Sequence, residues 1–360
     1  MLNVNRKYIV DVGRHILAKY LQLGGRELEK IKQNPIVKKI GFNRLVLICV
    51  MILMYLMFGA VCASLGKTSF FTLKRIYNAL NYAYFLGFLA LGVTFVIATG
   101  GIDFSMGPVM FCAALVSGYS LTKYGVPLAV CLVISIIVGT LFGVLNGYLV
   151  AYWKMPSFIT SMASMMLAKG LGSVFTKTQA VSWPQSADPV NGWYRKLVSI
   201  SVGETTIPTG LIIFALISVV CSIVLNNTKA GRYITCLGSN KEAVRLSGVD
   251  VRKWEALAYV ICSMLAGVAA IFYVGSYTIV QPGLGDTFNN EAIASCVMGG
   301  TSMAGGIASI GGTFIGVLIV SLLQEGIRAV GLQIDYQYVV TGVIVLVAVY
   351  ADIRSRKRRN

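Results

Sequence analysis

Charged side chains and histidine are scarce in this sequence. Only 12% of the 360 residues are Asp, Glu, Lys or Arg, and His15 is the single histidine. Soluble proteins carry about 25% charged residues, so the content here is about half the usual value and argues against an ordinary soluble domain. Because the one histidine lies in a basic N-terminal arm, a histidine-based metal site or a Ser-His-Asp site in the body of the protein is excluded.

The sequence also lacks the motifs of catalysis and nucleotide binding. Its eight cysteines form no C-x-x-C pair, which favours buried apolar roles for them. The segment LGKTS (65–69) has Val61 where a phosphate loop needs glycine, so the chain shows no nucleotide site of its own. No pattern of paired carboxylates, metal ligands or an activated nucleophile emerges either. We therefore predict no catalytic residues, no metal ligands and no cofactor bound by this chain.

Long apolar runs dominate what is present. Hydrophobic residues make up 56% of the chain and the mean hydropathy is +0.74. Runs of about 20 residues match a bilayer core of about 30 Å, and within lipid a helix satisfies its own backbone hydrogen bonds. The pattern predicts an all-α polytopic membrane protein with about ten transmembrane helices. The predicted spans are 45–64, 79–99, 104–122, 127–150, 157–176, 208–226, 255–277, 289–303, 308–327 and 337–351.

Positive charge is distributed unevenly in a chain whose formal net charge is +17. Lys and Arg concentrate in the N-terminal arm (1–44), the 227–254 loop and the tail (352–360). Such residues are retained on the cytoplasmic side, so both termini and the 227–254 loop are predicted to be cytoplasmic. Retention of Lys and Arg on the cytoplasmic side explains the net positive charge, so no nucleic-acid partner is needed to account for it. Lys74 and Arg75 fall on the outer side and are an exception to this distribution.

The long loop 177–207 is periplasmic in this topology and carries Trp183, Trp193 and Tyr194. Aromatic residues at this level usually form a belt at the membrane interface, which is the favoured interpretation. A docking surface for an external protein is the alternative.

Two glycine-rich breaks interrupt the apolar runs and resemble each other. They are ATGGIDFSMGP (98–108) and VMGGTSMAGGI (297–307). Gly100 and Gly101 are expected to end one helix in left-handed conformation, and Asp103 or Ser105 to cap the next. A direct role of Asp103 in transport stays open, because ionisable residues at membrane depth are often functional. Interrupted helices in corresponding halves of a chain indicate a substrate route.

A few polar residues lie within the apolar runs. Glu325 and Arg328 are three apart, which predicts an ion pair within one helix. Lys169 is expected to extend toward the interface or to face a protein cavity. Asn146 and Gln324 either bond neighbouring helices, the favoured interpretation, or bind solute hydroxyls.

The polar stretch GSNKEAVRLSGVDV (238–251) stands out from its apolar surroundings. Ser239 and Glu242 have the spacing of a capping box, and Gly248 provides a stop, which predicts about eight helical residues between them. So short a helix is marginal alone and needs a surface on which to pack. Docking on a cytoplasmic partner is favoured, and lying on the membrane surface is the alternative.

Three segments in order resemble one known family. GRYITCLGSNKEAVRLSGVDV (231–251), LGVTFVIATGGIDFSMG (91–107) and EAIASCVMGGTSMAGGIASIGGTFIG (291–316) resemble segments of bacterial ABC-importer permeases of the ribose/xylose/galactose class. The likeness runs from about residue 80 to 352, so 45–351 would be the permease domain and 227–254 its coupling loop.

The resemblance implies a subunit of the bacterial inner membrane that imports a small sugar by alternating access. Its partners would be cytoplasmic ABC ATPase subunits, which bind ATP and Mg, a periplasmic or lipid-anchored sugar-binding protein, and a second permease copy. The short helix would correspond to the coupling helix, and the two glycine-rich segments would frame the route. The implied coupling residues are Gly238, Asn240, Glu242, Ala243, Arg245, Ser247 and Gly248, and the implied route residues are Gly100, Gly101, Asp103, Ser105, Gly299, Gly300, Thr301 and Ser302.

The sequence departs from the family pattern in its long N-terminal arm and at Phe104, Met106 and Pro108. These departures leave the solute open. The same machinery acting on a nucleoside or a branched-chain amino acid is the alternative within the class. An ion-coupled carrier and a membrane scaffold protein are more distant alternatives.

Overall fold

A computed structural model describes residues 42–202, 205–333 and 335–357 of the chain, and most of the secondary-structure elements in these ranges are helices. Each of the ten predicted spans overlaps a helix. The N-terminal arm, apart from its last residues, lies outside the described residues, and so does the end of the basic tail. The helices are α1 (Phe42–Ser64), α2 (Leu73–Ala98), α3 (Met106–Tyr124), α4 (Leu128–Ala151), α5 (Ser157–Phe175), α6 (Thr209–Asn227), α7 (Lys229–Ser239), α8 (Lys241–Leu246), α9 (Val251–Ser276), α10 (Asp286–Met298), α11 (Ile310–Val330) and α12 (Asp335–Lys357).

In the part of the chain that the structure describes, seven helices are long and apolar enough to cross a membrane. They confirm the prediction of a helical, multi-pass membrane protein. The other predicted spans correspond to α3, α10 and α12. The seven helices are α1, α2, α4, α5, α6, α9 and α11.

Helix α2 is the centre of the structure. From Tyr82 to Ala98 every residue is buried, and the helix packs against α9, α11, α10 and α6. A helix that is apolar on all sides is expected in the interior of a membrane protein. Because α2 ends at the first glycine-rich break, the break lies at the base of this central helix.

Glycines on α4 let it approach α9 closely. Gly139, Gly143 and Gly147 are four residues apart and so share one face of the helix. A Cβ atom at these positions would lie 2.3 Å from the Ser263 oxygen, 2.8 Å from the Tyr259 oxygen and 2.7 Å from the Ala256 oxygen, respectively. Small residues at such spacing let helix backbones pack together within membranes, where the hydrophobic effect does not drive association.

The loop between α5 and α6 folds onto the helices and carries short strands. Strand β1 (Val181–Ser182) pairs antiparallel with β4 (Ile279–Val280), and β2 (Ile200–Val202) pairs with β3 (Thr205–Ile207). A 3₁₀ helix spans Gly192–Leu197.

The aromatic residues of this loop differ in their surroundings. The Trp183 indole N–H donates to the Ala114 carbonyl at 3.2 Å, and the Tyr194 hydroxyl donates to the Val274 carbonyl at 3.1 Å. Both side chains are buried, while Trp193 is exposed. The interface-belt interpretation is therefore wrong for Trp183 and Tyr194, which fasten the loop to α3 and α9.

The two charged residues of the predicted intrahelical ion pair do not pair with each other. Glu325 is buried and accepts from the Arg75 guanidinium at 2.9 Å and from the Asn78 amide at 3.3 Å. Arg75 lies in the first turn of α2, whereas Arg328 is exposed. Lys169 forms an ion pair with Asp286 at the start of α10, so its charge has a protein partner.

Candidate functional site

The helices before the two glycine-rich breaks end with the same backbone geometry. The Gly100 N–H donates to the Ile97 carbonyl and the Gly101 N–H to the Val96 carbonyl. The N–H groups of Gly300 and Thr301 repeat this pattern on Val297 and Cys296. Gly100 has a φ of 84° and Gly300 a φ of 90°, the left-handed conformation that ends such a helix. The sequence predicted a left-handed conformation for both Gly100 and Gly101, but only Gly100 adopts it.

Three segments that are far apart in sequence meet through their backbones at the base of α2. A Cβ on Gly238 would lie 2.0 Å from the Ala98 oxygen and 2.4 Å from the Gly306 nitrogen. A Cβ on Gly305 would lie 2.8 Å from the Gly100 nitrogen. The Gly306 N–H donates to the Ala98 carbonyl at 3.0 Å. The meeting point, here named the glycine junction, comprises Ala98, Gly100, Gly238, Gly305 and Gly306.

Asp103 lies just beyond the glycine junction and starts a buried polar network. Its Oδ1 accepts from the Ser105 N–H at 2.8 Å and from the Ser105 hydroxyl at 2.6 Å. The Asn146 amide donates to Ser105 Oγ at 2.9 Å, and its oxygen accepts from Ser164. The favoured interpretation of Asn146 is thereby confirmed: it bonds the start of α3 and helix α5.

Replacing Asn146 with alanine is expected to destabilise the fold by about 1–3 kcal/mol, because buried hydroxyls lose their partners. The measurement is thermal unfolding of the purified chain in detergent micelles. Asn226→Ala is the matched control, since Asn226 bonds Ser222 at 3.1 Å on an exposed helix end. Equal melting temperatures for the two variants would contradict a structural role for the network.

Helix α10, which leads into the second break, is bonded to the first break through Asn289, a residue that sequence reasoning did not single out. Its side-chain oxygen accepts from the Gly107 N–H at 2.7 Å, and its amide donates to the Phe104 carbonyl at 2.5 Å. Asn289 is buried on α10 and so connects α10 to the start of α3. The signal that was available is a polar amide at the start of a predicted span.

The remaining residues of the second break are packed inside the protein. A Cβ on Gly299 would lie 2.4 Å from the Gly312 carbonyl carbon. Thr301 is buried and accepts from the Ser309 N–H at 3.1 Å, and Ser302 is buried as well. These residues therefore hold α10 and α11 together at the break.

The polar stretch contains a helix shorter and differently capped than predicted. Helix α8 has six residues and begins after Asn240, whose side chain accepts from the Ala243 N–H at 3.0 Å. Ser239 instead ends α7, so the proposed capping box is wrong. Gly248, with a φ of 78°, ends the turn that follows α8 and thus confirms the predicted stop.

Helix α8 is fixed from one side and open on the other. Val244 is buried and forms a small apolar cluster with Leu237 and Val251. Leu246 is 77% exposed. Glu242 accepts from the Arg245 guanidinium at 2.5 Å, and this hydrogen bond lowers the pKa of Glu242, which is therefore ionised at neutral pH. The outer face thus presents one large apolar side chain beside an ordered pair of charges.

A cavity of about 700 Å³ connects α8 to the glycine junction. Lys241 and Glu255 form an ion pair of 2.6 Å within its lining. Gly100 and Gly101 form part of the opposite wall, whereas Asp103 and Ser105 are buried. The lining includes Thr99, Gly100, Gly101, Lys154, Lys241, Glu242, Arg245, Arg252, Glu255 and Tyr259.

Within residues 42–202, 205–333 and 335–357, no group of three or more His, Cys, Asp or Glu side chains is placed to hold a metal ion.

Comparison with known proteins places this architecture in a family. The family model described as "Branched-chain amino acid transport system / permease component" matches residues 75–349, most of the chain. The chain belongs to this family of permease components, and it is a transport subunit rather than an enzyme. It is a multi-pass protein of the bacterial inner membrane.

Curated relatives carry the names of sugar import permeases. The ribose import permease protein of Escherichia coli strain K12 is 33% identical over 80% of this chain and 88% of its own length. The ribose import permease protein of Bacillus subtilis strain 168 is 33% identical over 81% of this chain and 88% of its own length. The fructose import permease protein of Rhizobium meliloti is 28% identical over 86% of this chain and 84% of its own length. The comparison with solved structures found no match.

Proposed function

We propose that this chain forms the translocation path of an ATP-binding-cassette importer for a ribose-like monosaccharide. ATP is hydrolysed, with Mg, in a separate cytoplasmic ATPase, and a periplasmic or lipid-anchored binding protein delivers the sugar. A second permease copy completes the path. The observation that carries the proposal is the arrangement at the base of α2, where the end of α7, which leads into the short helix α8, meets both glycine-rich breaks.

Helix α8 is the coupling helix in this proposal. Its outer face offers Leu246 and the Glu242–Arg245 pair to the ATPase, while Val244 holds its inner face on α7 and α9. Gly238, at the end of α7, touches the carbonyl end of α2 and the second break. Movement of α8 and α7 is therefore passed to both breaks by direct backbone contact, which supports alternating access.

The membrane orientation is part of the proposal. Ten spans with both termini inside would place α8 in the cytoplasm, in accordance with the basic arm and tail. The positive charge of Arg75, on the outer side, is accounted for by its ion pair with the buried Glu325. Because that charge stabilises the fold, it does not count against the orientation.

The sugar assignment is supported by the ribose, fructose and xylose import permeases among the relatives. The family description names branched-chain amino acids, and this solute class is the second candidate. Uptake of radiolabelled D-ribose and L-leucine by cells that produce the whole importer separates the two. Uptake of leucine without any sugar would overturn the sugar assignment.

Replacing Leu246 with aspartate is expected to weaken binding of the ATPase at least tenfold. Burial of one leucine side chain contributes about 1.5–3 kcal/mol, and a buried unpaired carboxylate adds a further cost. The measurement is co-purification of the ATPase with the permease, together with ATP-driven uptake. Val190→Asp is the matched control, since Val190 is 73% exposed in the loop between α5 and α6. Uptake by vesicles without any ATPase chain would disprove the coupling proposal altogether.

A further inference from the structure

A second polar region lies away from the glycine junction, toward the other end of α2. It surrounds a cavity of about 200 Å³ where α2, the end of α9, α10, α11 and α12 converge. Sites for drug-sized ligands measure about 300–1,000 Å³, so this cavity suits a smaller solute. Its lining combines aromatic rings, a carboxylate and amides: Tyr82, Tyr273, Phe288, Glu291, Gln324 and Gln337.

Glu291 is the centre of this lining and is held in place. Its Oε2 accepts from the Tyr82 hydroxyl, and its Oε1 accepts from the Gln337 amide at 2.9 Å. The residue is 3% exposed. A carboxylate has about four lone-pair sites. Glu291 therefore keeps acceptor capacity for a ligand after these two bonds, in an orientation already fixed.

Aromatic rings supply flat apolar walls beside the carboxylate. The rings of Tyr82 and Tyr273 each lie with their centroids 6.1 Å from that of Phe288. Their faces offer surface to the C–H groups of a solute, while the carboxylate and amides meet its hydroxyls. An apolar wall with a few fixed polar groups is the usual composition of a small-molecule site.

A larger cavity of about 680 Å³ adjoins the first one. Thr287, Glu291 and Tyr338 line both cavities. The larger cavity runs to Phe104 and Met303, which belong to the two glycine-rich segments. Thr341, 6% exposed, lines it, and its hydroxyl has no hydrogen-bond partner among the described residues. The two cavities thus lie along α10, from the aromatic side chains around Glu291 to the vicinity of the glycine junction.

We propose that the Glu291 cavity is a binding site for a neutral polyhydroxyl solute on its way through the permease. This proposal rests on the proposed function and adds to it a solute site and its chemistry. The carboxylate and the amides of Gln324 and Gln337 together accept from and donate to neighbouring hydroxyls. Arg328, which also lines the cavity, balances the charge of Glu291, so the lining favours a solute without net charge.

An amino acid is the competing ligand, because its ammonium and carboxylate groups would pair with Glu291 and Arg328. Either ligand would use the acceptor sites that the bonds from Tyr82 and Gln337 leave open on Glu291. The alkylation measurement therefore includes L-leucine beside the sugars, and protection by the sugars alone is the expected result.

Ligand protection of an introduced cysteine tests the site directly. Thr287→Cys places a thiol between the two cavities, and Thr72→Cys places one on an exposed position before α2. Both variants are made in the full chain with its ATPase, in proteoliposomes. Alkylation of the unsubstituted chain is measured in the same way and subtracted, because the native cysteines can also react. Millimolar D-ribose is expected to slow alkylation at position 287 by at least about threefold and to leave position 72 unchanged.

Solute discrimination supplies an independent readout. D-Ribose and D-xylose differ in the orientation of one hydroxyl, and Glu291→Gln is expected to change their uptake ratio by about threefold or more. Tyr84→Phe, a buried control two residues beyond Tyr82 and outside the cavity lining, should leave the ratio unchanged. A merely structural role of Glu291 would reduce uptake of both sugars equally.

The outcomes separate this proposal from the proposed function. Protection by L-leucine without protection by sugars would overturn the neutral-solute assignment. Sugar uptake with no protection and an unchanged ratio would overturn the site and leave the importer function standing. If no sugar were taken up, the importer function would fail for sugars, and the alkylation measurement would still decide the site.

Discussion

Replacing Gly238 with alanine is expected to abolish uptake while the ATPase still binds and hydrolyses ATP. The added methyl group would lie 2.0 Å from the Ala98 oxygen and 2.9 Å from the Gly305 Cα. Both neighbours are backbone atoms and cannot rotate away, so α7 must move from α2. Overpacking of this kind costs about 1–3 kcal/mol, occasionally more. The measurements are uptake, ATP hydrolysis and thermal unfolding of the same preparation.

The matched control for this variant is Gly170→Ala on α5. A Cβ at Gly170 would meet nothing within 4 Å, and alanine favours the helix by about 1 kcal/mol over glycine. We expect Gly170→Ala to retain uptake. Normal uptake by Gly238→Ala, with an unchanged melting temperature, would show that the glycine junction does not need its close approach.

Replacing Arg75 with methionine is expected to destabilise the protein by about 3–5 kcal/mol, because it leaves a buried carboxylate without its counter-charge. Glu325 has a side chain only 4% exposed, and Arg75 is its partner at 2.9 Å. The double variant Arg75→Met/Glu325→Met should recover most of the loss, since a buried ion pair can be replaced by apolar side chains at little cost. A double-mutant cycle measured by thermal unfolding in micelles gives the coupling energy.

Arg328→Met distinguishes this pair from the one that the sequence predicted. Arg328 is exposed and lines the Glu291 cavity, so its loss removes a counter-charge of Glu291 and not that of Glu325. The cycle Arg328→Met/Glu325→Met should therefore show little coupling energy, and a coupling as large as that between Arg75 and Glu325 would instead favour the intrahelical pair.

The long apolar helices were predictable because their signals are local, whereas α7 was missed because Lys229–Ser239 lies in the polar segment predicted as a loop. Apolar length and glycine stops are read within one segment, and α4, for example, occupies 128–151 where 127–150 was predicted. The glycine-rich breaks were also visible, because a left-handed glycine such as Gly100 ends a helix through its own backbone.

Partners across the fold were not predictable. Arg75 and Glu325 are 250 residues apart, whereas Arg328 is a sequence neighbour with the correct charge and spacing. The N-cap of α8 is Asn240 and not the predicted Ser239, because Gly238 packs against α2 and keeps Ser239 within α7. Trp183 and Tyr194 are residue types typical of an interface belt. They are buried because their loop folds onto α3 and α9, which the sequence of the loop alone does not indicate. Asn289 bonds two backbone groups at the start of α3, which lie far from it in the sequence.

The glycine junction has one practical consequence for experiments on this chain. Because main-chain atoms make its contacts, shortening side chains cannot weaken them, and only additional atoms can probe the space there. Graded enlargement at position 238, from alanine through serine to valine, would measure how far the segments separate during the transport cycle. A size that is accepted in one conformation alone would arrest the importer in that conformation and make it accessible to structure determination.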